Sequence, residues 1–164
     1  RALAGAAAAI GCELHIDDKP GYSPEIHDVA YMQLVEEVCK DLAGADRVNF
    51  EYDSWSTGSS DFGDLTCVMP GIQFTSAGAS GTAHGINYYL TDPERLLINS
   101  IKAQLLVADK LLKDDAAKAK EIVANYKAPY ASIPEYLDAI GDFILDRDVV
   151  EYEENGNVKL NLAK

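Results

Sequence analysis

The sequence predicts an α/β protein: part of a mixed sheet flanked by helices, followed by a C-terminal helix and β-hairpin extension. Three observations predict it. Two strand-like runs each lead into a loop rich in small residues, as in α/β sheets whose loops gather at one edge. Two longer segments carry apolar residues at helical spacing behind a capping residue. Near the C-terminus, Asn155-Gly156 stands between alternating apolar residues, a strong hairpin signal.

Residues 1–10 are alanine-rich and helix-competent. No cap precedes Arg1, so the stretch reads as the end of a longer helix, left by processing or a chain boundary. A secretory leader fits less well, because a long leucine-rich centre is missing and the run enters a strand directly. In residues 12–18, Cys12, Leu14 and Ile16 alternate with Glu13, His15 and Asp17, which predicts a half-buried strand. Two prolines and a glycine in residues 19–24 mark a linker or a crossing between domains. Asp28 predicts the cap of a helix to Ala43, with Met32, Val35, Val38, Cys39 and Leu42 on one face and Gly44 as the stop.

Arg47–Tyr52 and Gly71–Ser76 read as strands, and residues 53–64 and 77–87 as the loops behind them, the first opening a short helix. Thr91-Asp92-Pro93-Glu94 has capping-box spacing and opens a sheet-covering helix to about Lys113. Its expected buried face is Leu97, Ile101, Leu105, Ala108, Leu111 and Leu112. A further helix is expected from Asp115 to Tyr126. Ser132 opens another to about Leu145, and Val149–Glu153 and Val158–Leu162 form the hairpin. From Asp114 onward there are 6 basic and 11 acidic residues, so the extension is acidic.

Composition narrows the function. With 48% hydrophobic and 25% charged residues the chain is globular in type. A net charge of −13 without a basic cluster excludes nucleic acid as a default partner. No apolar run is long enough to span a bilayer, so no membrane partner is expected. Cys12, Cys39 and Cys67 are too few and too far apart for a disulfide framework or a metal knuckle. They predict reduced, buried thiols and a cytoplasmic location.

Three histidines merit weighing. His15 reads as solvated on a strand's wet face, and His27 as a surface residue beside the cap at Asp28. His84 lies among small residues that let a ligand approach, so it is a loop histidine, a metal ligand or a general base. The run Gly58-Ser59-Ser60-Asp61 could orient a ligand group through hydrogen bonds, or could simply cap a helix. It is neither a P-loop nor a hydrolase elbow, and no base stands near the serines in sequence.

Taken together, GSSDFGDLTCVMPGIQFTSAGASGTAHG resembles the C-terminal signature of the aminoacylase–carboxypeptidase superfamily of metal-dependent amidohydrolases. The closest likeness is to its aminobenzoyl-glutamate hydrolase-like branch. AAAAIGCELHIDDKPGYSPEI is similar to that family's exit from its inserted dimerisation (lid) domain. The likeness covers residues 1–113. It implies that residues 1–20 end the lid domain, 21–113 are the C-terminal half of a phosphorylase/hydrolase-like catalytic domain, and 114–164 are an extension. It implies His84 as a metal ligand, with Ser59, Ser60, Asp61, Gly81 and Thr82 bordering the substrate. The implied cofactor is a divalent metal, zinc or manganese. The implied substrate is an N-acyl or aroyl amino acid or small peptide, and the implied assembly is a homodimer of a full-length parent. The family often has Asn where His27 stands. The general base and most metal ligands would lie outside this chain, leaving it inactive alone, since one histidine cannot hold a catalytic metal. The alternative is a non-enzymatic binding or assembly domain acting through the acidic C-terminal surface.

Overall fold

The computed structural model describes residues 1–53 and 60–162. Among them the fold is mixed α/β, as expected: five α-helices, a three-stranded antiparallel sheet and a two-stranded pair. The chain divides into two compact units, Arg1–Gly21 with Ser132–Lys164, and Tyr22–Ala131.

The first unit joins the two ends of the chain. α1 (Ala2–Ala9) precedes β1 (Leu14–Asp18), and α5 (Ile133–Gly141) precedes β4 (Leu145–Tyr152) and β5 (Val158–Leu160). β4 lies between β1 and β5, antiparallel to both. Ala4 of α1 packs with Val149 and Val150, flanked by Leu14, Ile16 and Tyr152. Alanine at the contact lets the helix approach the sheet closely. Gly156 takes φ 82° in the β4–β5 turn, the conformation the Asn-Gly signal requires. Ser132 caps α5 by accepting the Glu135 N–H at 3.3 Å. The helix stops at Gly141 rather than about Leu145, because Leu145 already pairs with Asp18 of β1.

In the second unit, α2 (Val29–Ala43) is capped as expected. Asp28 Oδ1 accepts the Tyr31 N–H at 2.8 Å, and Gly44 ends the helix at φ 92°. α3 (Phe62–Thr66) follows, then β2 (Ala79–Ser80) paired with β3 (Tyr89–Leu90). A π-helical turn, Glu94–Ile98, leads into α4 (Asn99–Asn125). Its backbone leaves helical geometry from Lys113 to Ala116, where the sequence ends one helix and starts the next. The capping residue is Asp92, which accepts the Arg95 N–H at 2.9 Å, and not Thr91.

Two expectations fail here. Arg47–Tyr52 and Gly71–Ser76 belong to no ladder among the described residues, although burial still alternates over residues 47–51 and 72–76. A strand needs a neighbour to pair with, and no described segment supplies one. The buried face of α4 matches only in part: Leu111 packs on the core as expected and Ala108 is half-buried. Leu97, Ile101, Leu105 and Leu112 are each more than half exposed, while Ala103 and Val107 are buried. α4 packs on α2 rather than on a sheet, in a core of Leu34, Val35, Val38 and Val107. The contact selects the face whose small Ala103 and Val107 allow close helix approach. Of the three free thiols Cys67 is buried, Cys39 half-buried and Cys12 exposed, so the expectation of buried cysteines fails for Cys12. No described helix is long and apolar enough to cross a membrane.

Candidate functional site

The prolines and glycine of residues 20–24 prevent regular structure, and the segment that follows is tied onto α3. Ser23 N–H donates to Asp64 Oδ1 at 2.8 Å, and Ile26 N–H donates to Thr66 Oγ1 at 3.0 Å. Thr66 is fully buried, and its hydroxyl in turn donates to the Gly63 carbonyl at 2.8 Å. Its own carbonyl accepts the Tyr126 hydroxyl. Burial holds that phenol above its ordinary pKa. Gly63 is required by contact: a Cβ there would meet the Ser23 carbonyl oxygen at 1.8 Å. Short polar side chains and one glycine thus bind residues 23–26 as a strap along α3.

The strap delivers Glu25 and His27 to the serine loop. Ser60 Oγ donates to Glu25 Oε1 at 2.7 Å, and His27 Nε2 lies 3.0 Å from Glu25 Oε2. Ser60 Oγ also accepts the Phe62 N–H at 3.3 Å, which satisfies one free amide at the start of α3 from the residue before the N-cap, Asp61. The Glu25 and His27 side chains are 24% and 28% exposed, enough for a ligand to reach them and little enough to hold them still. In the tautomer whose Nε2–H donates to the carboxylate, Nδ1 carries the lone pair and is free to coordinate a cation.

His84 sits on a separate, tightly built turn. Gly78 and Gly81 take φ 136° and 99°, and a Cβ on Gly81 would meet the Asn87 carbonyl oxygen at 2.0 Å. Gly85 N–H donates to the Thr82 carbonyl at 2.8 Å, and Thr82 N–H donates to Asn87 Oδ1 at 3.3 Å. His84 itself takes φ 63°, a left-handed conformation uncommon outside glycine and several-fold enriched in Asn, Asp and His. It is solvent-exposed, and among the described residues no hydrogen bond or ion pair engages its ring.

The residues singled out from the sequence therefore fall in different places. Ser60 joins Glu25 and His27. Asp61 is exposed, precedes α3 and makes no side-chain cap. Gly81, Thr82 and His84 share the second turn, and Ser59 lies outside the described residues. The described residues contain no group of three or more His, Cys, Asp or Glu able to hold a metal ion. His84 fits a metal only as one ligand of a larger set. The sequence reading passed over Glu25 and left His27 on the surface, because their partner Ser60 is 35 residues away from Glu25. No local pattern signals that pairing. His15 is exposed, as expected, and faces Asp148 and Asp146 across β1 and β4 at 3.0 and 3.1 Å. No family model, curated protein or solved structure matches the chain.

Proposed function

We propose that this chain is the C-terminal portion of a cytoplasmic, homodimeric, metal-dependent amidohydrolase acting on an N-acyl or aroyl amino acid or small peptide. In this reading His84 is one ligand to a zinc or manganese ion. The general base and the other ligands come from polypeptide outside these residues, and the chain alone is inactive. Such an ion, when bound, polarises the amide carbonyl and acidifies water. The residues of this chain have simpler tasks: Gly81 and Thr82 hold the His84 turn, and Ser60 and Glu25 fix His27.

One observation carries the reading. The segments bearing the sequence likeness, 23–27 and 60–66, lie far apart in the chain yet form one tied structure through Asp64, Thr66, Ser60 and Glu25. Among the described glycines of the same motif, Gly63, Gly78 and Gly81 stand where an added Cβ would meet backbone.

The first experiment is the intact mass of the native protein captured through this segment. A mass well above 17.8 kDa identifies the parent. In that parent His84→Ala should abolish amide hydrolysis and lower metal occupancy with an unchanged circular dichroism spectrum. Unchanged turnover removes His84 from the site. Hydrolysis of an acyl-amino acid by the purified, metal-loaded 164-residue chain would overturn the reading of an inactive portion.

A second reading, an assembly domain using its acidic surface, is favoured by Asp17, Asp146 and Asp148. They stand exposed on the first unit's sheet around His15.

A further inference from the structure

The α4 helix carries apolar residues on two faces. Ala103 and Val107 are buried, on the face turned to α2. The other face is Ile98, Ile101, Leu105, Ala108 and Leu112, spaced by 3, 4, 3 and 4 residues. That is the a/d repeat of a coiled coil, held for two heptads. Leu105 lies about 160° around the helix from Val107, so this seam points away from α2. Ile98, Ile101, Leu105 and Leu112 are exposed and Ala108 is half-buried. Single exposed leucines are ordinary, whereas a continuous apolar stripe marks a contact surface.

The charges beside the seam identify what covers it. Residues 98–112 hold three charged side chains, Lys102, Asp109 and Lys110, and Lys110 is paired with Glu37 of α2. Lys102 and Asp109 occupy successive e positions, seven residues apart on one flank of the seam. Both are exposed, and among the described residues neither makes an ion pair. Charges at e and g set the partner and orientation of a helix pair. A second α4 running the opposite way brings e positions together, Lys102 against the partner's Asp109 and Asp109 against the partner's Lys102. The same register sets Leu105 against the partner's Ala108, large against small, and Ile101 against the partner's Leu112. Each of these layers occurs twice. A parallel copy instead sets Lys102 beside Leu97 of the copy and Asp109 beside Gln104, and gains no charge pair. The stripe is therefore complementary to itself, in charge and in size, in one orientation.

We propose that the Ile98–Leu112 face of α4 is a self-association seam. A second copy of this chain covers it by packing its own α4 antiparallel, about a twofold axis between Leu106 and Val107. The seam is separate from the lid domain whose end residues 1–20 resemble, and the inference does not depend on the amidohydrolase reading.

The test is sedimentation equilibrium of the whole 164-residue chain, under reducing conditions because Cys12 is exposed. The seam is about 22 Å long, small beside a standard interface, so a Kd between about 10 μM and 1 mM is expected. Leu105→Glu changes an exposed position, should leave the circular dichroism spectrum intact, and should weaken the dimer by more than about tenfold. Lys102→Glu and Asp109→Lys each turn two attractions into repulsions and should each weaken it by about tenfold. The double variant Lys102→Glu/Asp109→Lys restores both pairs in the same register and should return the Kd to within about threefold of the original. A monomer at about 1 mM overturns the proposal. So does a dimer that Leu105→Glu leaves intact, or a double variant no tighter than either single one, which would assign the stripe to a different partner.

Discussion

Thr66→Val tests whether the strap along α3 is held as described. Valine nearly matches threonine in shape, so packing around this fully buried position is kept and only the hydroxyl is lost. Two hydrogen bonds disappear. The Gly63 carbonyl still accepts the Cys67 N–H at 3.2 Å, so its loss is small. The Ile26 N–H, now 3.0 Å from the hydroxyl, would face a methyl group instead. Leaving a buried donor unpaired costs about 1–3 kcal/mol. Ile26 is 40% exposed, so water reaches part of this site and the lower half of the range applies, about 1–2 kcal/mol. The added buried methyl returns less than about 0.8 kcal/mol. Urea unfolding followed by circular dichroism should show a lower midpoint at unchanged m, with a net loss of about 1 kcal/mol. Amide exchange at Ile26 should accelerate by about fivefold to tenfold, since 1.4 kcal/mol is a factor of ten. The His27 ring resonances should shift, because the strap sets the position of Glu25. Unchanged exchange at Ile26 together with unchanged stability would refute the assignment of Thr66 as the tie.

The other perturbations follow from the same contacts. Gly63→Ala places a Cβ 1.8 Å from the Ser23 carbonyl oxygen, so the strap must lift and both its backbone ties are lost. The expected loss of stability is about 2–4 kcal/mol by denaturant titration, and a change below about 0.5 kcal/mol contradicts the close approach. At the other end of the chain, the hydrogen bond from His15 to Asp148 raises the imidazole pKa above its ordinary 6.5, with further help from the charge of Asp146. A group whose pKa is raised on folding stabilises fully below its unfolded value and loses that contribution as pH climbs through the folded value. Stability of the β1–β4 pairing should therefore fall as pH rises from about 6.5 upward. Asp148→Asn should flatten the profile, and parallel stability–pH curves for the two proteins would rule this linkage out.

Much of the secondary structure was legible because its signals are local. Asp28 and Ser132 cap their helices through their own side chains, Gly44 and Gly156 take the positive φ their positions demand, and the Ala-rich opening forms α1. Each is decided within a few residues, where steric and hydrogen-bonding rules act directly. The α/β class follows from the same local periods. The face that α4 buries was not legible. Its apolar residues wrap too widely for periodicity to choose, and contact with α2 selected Ala103 and Val107 over Leu105 and Leu112.

Strand identity behaves in the same way. Gly71–Ser76 carries its alternation in sequence and in burial, yet a ladder is a property of two segments and cannot be contained in one. The candidate site shows the division most sharply. The small-residue turns around His84 and the serine loop announce themselves by composition. The Glu25–His27 pair carries no such mark. Sequence determined which short stretches could become helices, turns and strand-like segments, because backbone conformation is set by neighbours along the chain. Tertiary structure alone brought Ser60 to Glu25 and fixed His27, because that step depends on a strap folding back over α3, 35 residues away along the chain.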